Sequence, residues 1–347
     1  MGKKHLYCTL TMTKKPIDAC KLNTCGFQFD YSYLELPTTL YTKIKPTNVK
    51  SPAMVILNDE LAYSLGLDFS NLSTEEQSEL FSGHTLPDGV KPFAQAYAGH
   101  QFGYFTMLGD GRAHILGEHL LPDQPRVDIQ FKGSGRTPYS RRGDGRATLS
   151  SMLREYLISE AMYGLDIPTT RSLAVATTGE DLVRETLLPG AVLTRIAQSH
   201  IRVGTFEFVA ANRDEDLLNV LLTYAANRHF KELDVDDNLA LAFLKKVMAL
   251  QVDLIVNWMR VGFVHGVMNT DNMAISGETI DYGPCAFMDA YNPATVFSSI
   301  DHGGRYSFGN QPAIAQWNLT RLAEALLPLI DQDQSKAIEH AQEIIGI

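Results

Sequence analysis

The stretch RVDIQFK, residues 126–132, alternates cleanly, with Val127, Ile129 and Phe131 on one face and Asp128, Gln130 and Lys132 on the other. That period of two predicts a half-buried strand with Lys132 leaving its polar face. Upstream, residues 97–118 are punctuated by Gly99, Gly103, Gly109, Gly111 and Gly117, which predicts short strands joined by tight turns. Downstream, a loop rich in Gly, Arg and Ser (133–146) leads into a helical period. Leu149, Met152, Leu153, Tyr156 and Leu157 form its apolar stripe, predicting a helix over 148–163 with Glu155 off the stripe's centre. Earlier, 51–67 reads as a strand passing into a helix capped by Asn58 or Asp59, and 73–83 as a short capped helix ending at Gly83. Residues 236–262 are apolar nearly all round, predicting a long central helix that starts at Asp236 or Asp237 and stops at Gly262. A helical pattern returns over 313–345, while residues 1–50 look irregular.

Strands followed by helices predict an α+β fold. The expected division is an N-terminal extension over 1–90 packing on the lobes, a sheet-rich N-lobe over 91–212 and a helical C-lobe over 213–347. With 347 residues, 45% hydrophobic and 20% charged, the composition is that of an ordinary globular protein with enough chain for two cores. A net charge of −10 argues against nucleic acid or an anionic membrane as partner. No apolar run approaches the ~18 residues of a membrane span. Cys8, Cys20, Cys25 and Cys285 have neither disulfide-type nor metal-type spacing, which points to a reducing compartment. That means the cytoplasm for a bacterial source, with a mitochondrial home open for a eukaryotic one. The basic residues are clustered, however: Lys132, Arg136, Arg141, Arg142 and Arg146 stand against a single acid, Asp144. This is the pattern of a local anion site or of a solvated basic loop.

Four constellations carry chemistry. HGVMNTDN (265–272) keeps the His and Asn of a kinase-type catalytic loop but has Val267 where that loop places its aspartate. A two-residue hairpin at Ser276-Gly277 would set Asn272 opposite Asp281. The pair would then share Mg2+ or Mn2+, unless the hairpin is merely polar and binds nothing. A strand lysine followed by a helix glutamate, Lys132 and Glu155, matches the pair that orients nucleotide phosphates. In LGDGRA (108–113), Gly109 and Gly111 would let backbone N–H groups approach phosphate with Arg112 adding charge, the alternative being a plain tight turn. Arg195 and Arg202, sharing a helix face or a strand–loop edge, would hold a polyphosphate or form ordinary salt bridges. His200 and His265 read as structural hydrogen-bonders. Glycine loop, strand lysine, helix glutamate, catalytic loop and metal aspartate follow one another in the order of a protein-kinase-like bilobal fold.

The strings YAGHQFGYFTMLGDGRAHILGE, DIQFKGSGRTPYSRRGDGRATL, SEAMYGLDIPTTRSLA, SHIRVGTFEF and HGVMNTDNMAISGETIDYGPCAFMD closely resemble the SelO family over about residues 30–345. These are protein adenylyltransferases with a protein-kinase-like fold, once regarded as pseudokinases. The resemblance implies that AMP passes from ATP, bound flipped relative to kinases, to Ser, Thr or Tyr hydroxyls of proteins while pyrophosphate leaves. It implies Lys132 as the nucleotide-binding lysine and Glu155 as its partner. Gly109, Gly111, Arg112, Asp144, Gly145, Arg195, Arg202 and Asp281 would contact ATP. Asp271 would be the proton acceptor, and Asn272 and Asp281 the metal ligands. Family members usually carry a further helical region and, in some, a C-terminal redox motif. The chain ends at Ile347 without either, so an incomplete helical lobe without redox regulation is expected. Other readings of the same residues are UMP transfer, phosphoryl transfer with Asp271 as base, and a nucleotide-binding pseudokinase scaffold without catalysis.

Overall fold

The computed structural model describes residues 19–121, 124–233 and 238–346. In chain order it begins with α1 (Ala19–Leu22), β1 (Phe29–Asp30), β2 (Tyr41–Lys43), β3 (Ala53–Leu57), α2 (Asp59–Ser64) and α3 (Thr74–Phe81). Next come β4 (Phe93–Gln95), β5 (Ala98–Gln101), β6 (Tyr104–Met107), β7 (Ala113–Leu121), β8 (Gln124–Lys132), β9 (Ala147–Thr148) and α4 (Leu149–Gly164). The long strands β10 (Arg171–Val183) and β11 (Leu187–Ala197) precede three helices, α5 (Val203–Ala211), α6 (Glu215–His229) and α7 (Leu239–Arg260). The short strands β12 (Phe263–Val264) and β13 (Ala286–Phe287) frame the HGVMNTDN loop, and α8 (Gln311–Ile330) and α9 (Gln334–Ile345) follow.

The fold is α+β. An antiparallel sheet runs β2-β4-β7-β8-β11-β10-β3, with β1 added beside β7 and β9 beside β11. Residues 29–43, irregular by pattern, thus place two strands in the main sheet, and β3 with α2 forms the strand-to-helix passage read over 51–67. One sheet face packs Leu116, Ile129, Phe131 and Val192 against α2 and α3. The other receives α4 through Met152 and Tyr156 on Val175 and Leu193. Helices α5 to α9 share a core that includes Phe206, Leu221, Phe243 and Leu322, and Tyr41, Phe93 and Ile115 of the sheet join it. Among the described residues no helix is long and apolar enough to cross a membrane.

Local signals account for the helix ends. Ser73 and Glu76 form a reciprocal capping box on α3, and the Asn58 side chain caps α2. The caps expected at Asp236 or Asp237 lie outside the described residues; Asn238 caps α7 by accepting from Leu241 N–H. Helix α7 is one-sided, not apolar all round in its environment: Phe243, Leu244 and Trp258 are buried, whereas Val252 and Val256 are exposed.

Two further expectations fail for one reason, the burial of the polar face. Strand β8 lies between β7 and β11, and Asp128, Gln130 and Lys132 are buried together with Ile129 and Phe131. Glu155 is 1% exposed while Leu157, placed on the apolar stripe, is 64% exposed. Helix α4 turns its glutamate inward because two buried cations wait there.

Candidate active site

A cleft of about 750 Å³ opens between the sheet and the HGVMNTDN loop. Lys132 on β8 and Glu155 on α4 meet across it at 2.6 Å, as the strand–helix order predicts. Arg195 on β11 also binds Glu155, through Nε at 2.9 Å, and donates to Gln130 at 3.2 Å. Asp281 completes the cluster. Its Oδ1 accepts from Lys132 at 2.5 Å and from Arg195 at 2.6 Å, and its Oδ2 accepts from Arg202. Burial acts to raise the Asp281 carboxyl, but Arg195, Lys132 and Arg202 together hold it well below the carboxylate range. Burial, and then Arg195, lowers the Lys132 ammonium. Asp281 has φ +64, a sparsely populated backbone region for a non-glycine residue and one that recurs at functional sites.

The hairpin expected at Ser276-Gly277 does not form. Ala274 pairs with Arg202 and Thr279 with Thr169, so the two limbs seek different partners and only a tight turn joins them. Asn272 and Asp281 nevertheless line the same cleft. Asn272 Nδ2 donates to Val267 O at 2.9 Å, which leaves its amide oxygen as the acceptor available to the cleft. Arg195 and Arg202 do not share one helix face or edge: the first sits within β11, the second at the N-cap of α5. His265 is structural, as expected. Its Nε2 donates to Ile280 O at 2.9 Å and its Nδ1 accepts from Val267 N, while the ring stacks on Trp258.

Asp271 occupies a 3-10 turn, Thr270–Asn272, and is buried in the cleft wall. Its Oδ1 has no hydrogen-bond partner among the described residues. Burial pushes this carboxyl up to about 6, with Arg202 opposing. The LGDGRA turn lies opposite, lined by Gly109, Gly111 and Arg112. Gly109 has φ +136, and a side chain there would run into Tyr139. The glycines of this turn are therefore required first by close packing against the 133–146 loop, with Ser140 Oγ donating to Gly111 O at 2.5 Å. Asp144 and Gly145 line the outer cleft, and Asp144 pairs with Arg184 at 2.8 Å.

The pattern missed three residues. Asp110, buried and raised to about 6 chiefly by burial, accepts from Gln95 N–H at 2.9 Å inside the glycine turn. The Tyr97 ring lies 4.8 Å below the Arg202 guanidinium, and Gln130 holds Arg195. Only the three-way meeting of β8, β11 and the loop reveals them; Asp110 alone carried a signal, between two glycines.

Nine Lys and Arg side chains line the cleft against five carboxylates, so it is cationic within an acidic protein. That sign asymmetry favours a polyphosphate-sized anion. No group of three or more His, Cys, Asp or Glu side chains suited to a metal occurs among the described residues. The donor set instead offers one amide oxygen and the Asp281 carboxylate, whose Oδ2 has a single partner. This fits a hard divalent cation that takes its remaining ligands from water and phosphate.

The fold and cleft together define an α+β protein with a cationic cleft built on a strand lysine, a helix glutamate and a loop aspartate. A family model described as "Protein adenylyltransferase SelO" matches residues 24–344. The chain belongs to the SelO family. It is 62% identical over 327 residues to a protein nucleotidyltransferase YdiU of Nitrosococcus oceani, covering 94% of this chain and 66% of that protein. Proteins of the same name from Syntrophotalea carbinolica and Halalkalibacterium halodurans are each 61% identical, over 92% of this chain and 65% of theirs. The chain thus spans just under two thirds of the length of these relatives.

Proposed function

We propose that this protein is a kinase-like, bilobal adenylyltransferase that moves AMP from ATP to Ser, Thr or Tyr hydroxyls of proteins and releases pyrophosphate. The observation that carries the reading is the buried Asp271 carboxylate, its pKa raised by burial, in the same cleft as the Lys132–Glu155 pair. Lys132, Arg195 and Arg202 are the phosphate-facing cations, with Arg112 and the turn at Gly109 and Gly111 on the opposite wall. Asp144 and Gly145 border the outer cleft where the nucleotide enters. Asn272 and Asp281 would hold Mg2+ or Mn2+, which supplies charge neutralisation for the phosphates when bound. For ATP to bind, the arginines now closed on Asp281 exchange part of that contact for phosphate oxygens.

The acceptor hydroxyl attacks the α-phosphorus, the bond to pyrophosphate breaks, and the hydroxyl proton passes to the Asp271 carboxylate. A carboxyl near 6 is mostly ionised at neutral pH yet basic enough to take that proton. Val267 at the kinase aspartate position lines the cleft without chemistry of its own, in keeping with a base that serves a different phosphate. Incubation with a protein acceptor, Mg2+ or Mn2+, and ATP labelled at either the α or the γ position tests this. Label from the α position should enter protein and label from γ should not. Incorporation of γ label alone means phosphoryl transfer, and ATP binding without covalent product means a scaffold.

A further inference from the structure

We infer that Glu207 is a positioning residue for Asp271, acting through the Thr270 hydroxyl; the inference rests on the reading of Asp271 as the proton acceptor. The Asp271 carboxylate is weakly tied, since its Oδ1 has no hydrogen-bond partner among the described residues and rests against the backbone at Gly99. Its direction is set by the three-residue turn that carries it and by what ties that turn down.

Helix α5 supplies ties at two points. At its N-cap, Arg202 donates to the Asp271 carbonyl oxygen at 2.6 Å. Further along, the buried Glu207 accepts from Thr270 Oγ1 with one carboxylate oxygen and meets His100 Nδ1 at 2.5 Å with the other. The backbone N–H of His100 donates to the same Thr270 hydroxyl at 2.7 Å. Thr270 Oγ1 thus gives its proton to α5 and accepts one from β5. Both bonding roles of the hydroxyl are used, and the turn is fixed to a helix and a strand at once.

The same strand lies directly on the base. The backbone at Gly99, next to His100, runs so close to Asp271 that an added methyl would come within 2.8 Å of its Cβ and Cγ and closer still to its Oδ1. His100 is itself held from outside, with Trp317 of α8 set edge-on 5.3 Å from its ring. Glu207 therefore clamps strand and turn together around the carboxylate without touching the cleft, whose lining does not include it.

The test uses Thr270→Val, which keeps the shape and removes the hydroxyl, Thr270→Ser, which restores it, and Glu207→Leu, which removes the acceptor. ATP-induced thermal stabilisation is followed alongside AMP transfer for every variant. Thr270→Val and Glu207→Leu should lower kcat by roughly 10²-fold, the cost of misplacing a reacting group by about 1 Å, with KM for ATP little changed. Thr270→Ser should return most of the lost rate. The inference is overturned if Thr270→Val keeps the wild-type kcat, or if Thr270→Ser is as slow as Thr270→Val while both still bind ATP. A wild-type protein that is stabilised by ATP but transfers nothing overturns the role of Asp271, and this inference with it.

Discussion

Glu278 shows how one residue records its surroundings. Its Oε2 accepts from Gln198 N–H at 3.0 Å and from Ser276 Oγ at 2.9 Å, and burial pushes the carboxyl from an ordinary 4.5 up to about 7. A folded-state value above the unfolded one means that the folded protein binds the proton more tightly. The resulting stability is fully present below about 4.5 and is lost as pH rises through 7. A shift of this size corresponds to about 3 kcal/mol at most. Glu278→Gln keeps an acceptor for both donors and cannot ionise. Its melting temperature should fall less than that of the wild type between pH 5 and 8, and parallel profiles would refute the assignment. The polar face of β8 obeys the same rule in reverse. Lys132 and Asp128 are buried charged because each has counter-charges in reach, Glu155 and Asp281 for one, Arg228 for the other.

At the scale of elements, the turn that carries Asp271, β5 and α5 form one junction. Gly99→Ala tests the closeness of β5 to Asp271. The added methyl would push Asp271 aside, so AMP transfer should fall by roughly 10²-fold or more while ATP still stabilises the protein. Unchanged transfer would show that the strand has room to retreat. Many elements were legible because their signals are local. The capping box at Ser73 and Glu76, the glycine stop of α7 at Gly262 and the span of α4 all appear where the pattern puts them. The Ser276-Gly277 hairpin was not, because a turn dipeptide fixes a reversal but not its partners. Ala274 and Thr279 found Arg202 and Thr169 instead of each other.

At the scale of the molecule, a net charge of −10 coexists with a cationic cleft, so overall charge says little about the ligand. A ligand that binds only the folded state stabilises it by mass action, by about 2.7 kcal/mol at a hundredfold excess over Kd. Saturating ATP with Mg2+ or Mn2+ should therefore raise the melting temperature measurably. Lys132→Ala should abolish most of that rise while retaining a cooperative transition, since Arg195 still neutralises Glu155. A rise as large as that of the wild type would remove Lys132 from the nucleotide site.

The sequence by itself determined many of the elements, their order and the types of residue that could meet phosphate. These follow from periodicity, capping and glycine placement, which act over a few residues. It also carried the family, since the long strings around LGDGRA and HGVMNTDN are too specific to arise from fold alone. Only the tertiary structure decided that Asp281 closes on Lys132, Arg195 and Arg202, that Glu155 faces inward, and that Glu207 reaches the turn of Asp271. Such contacts join residues up to 149 positions apart. Their geometry is set by burial and charge neutralisation across the whole molecule, which no local pattern encodes.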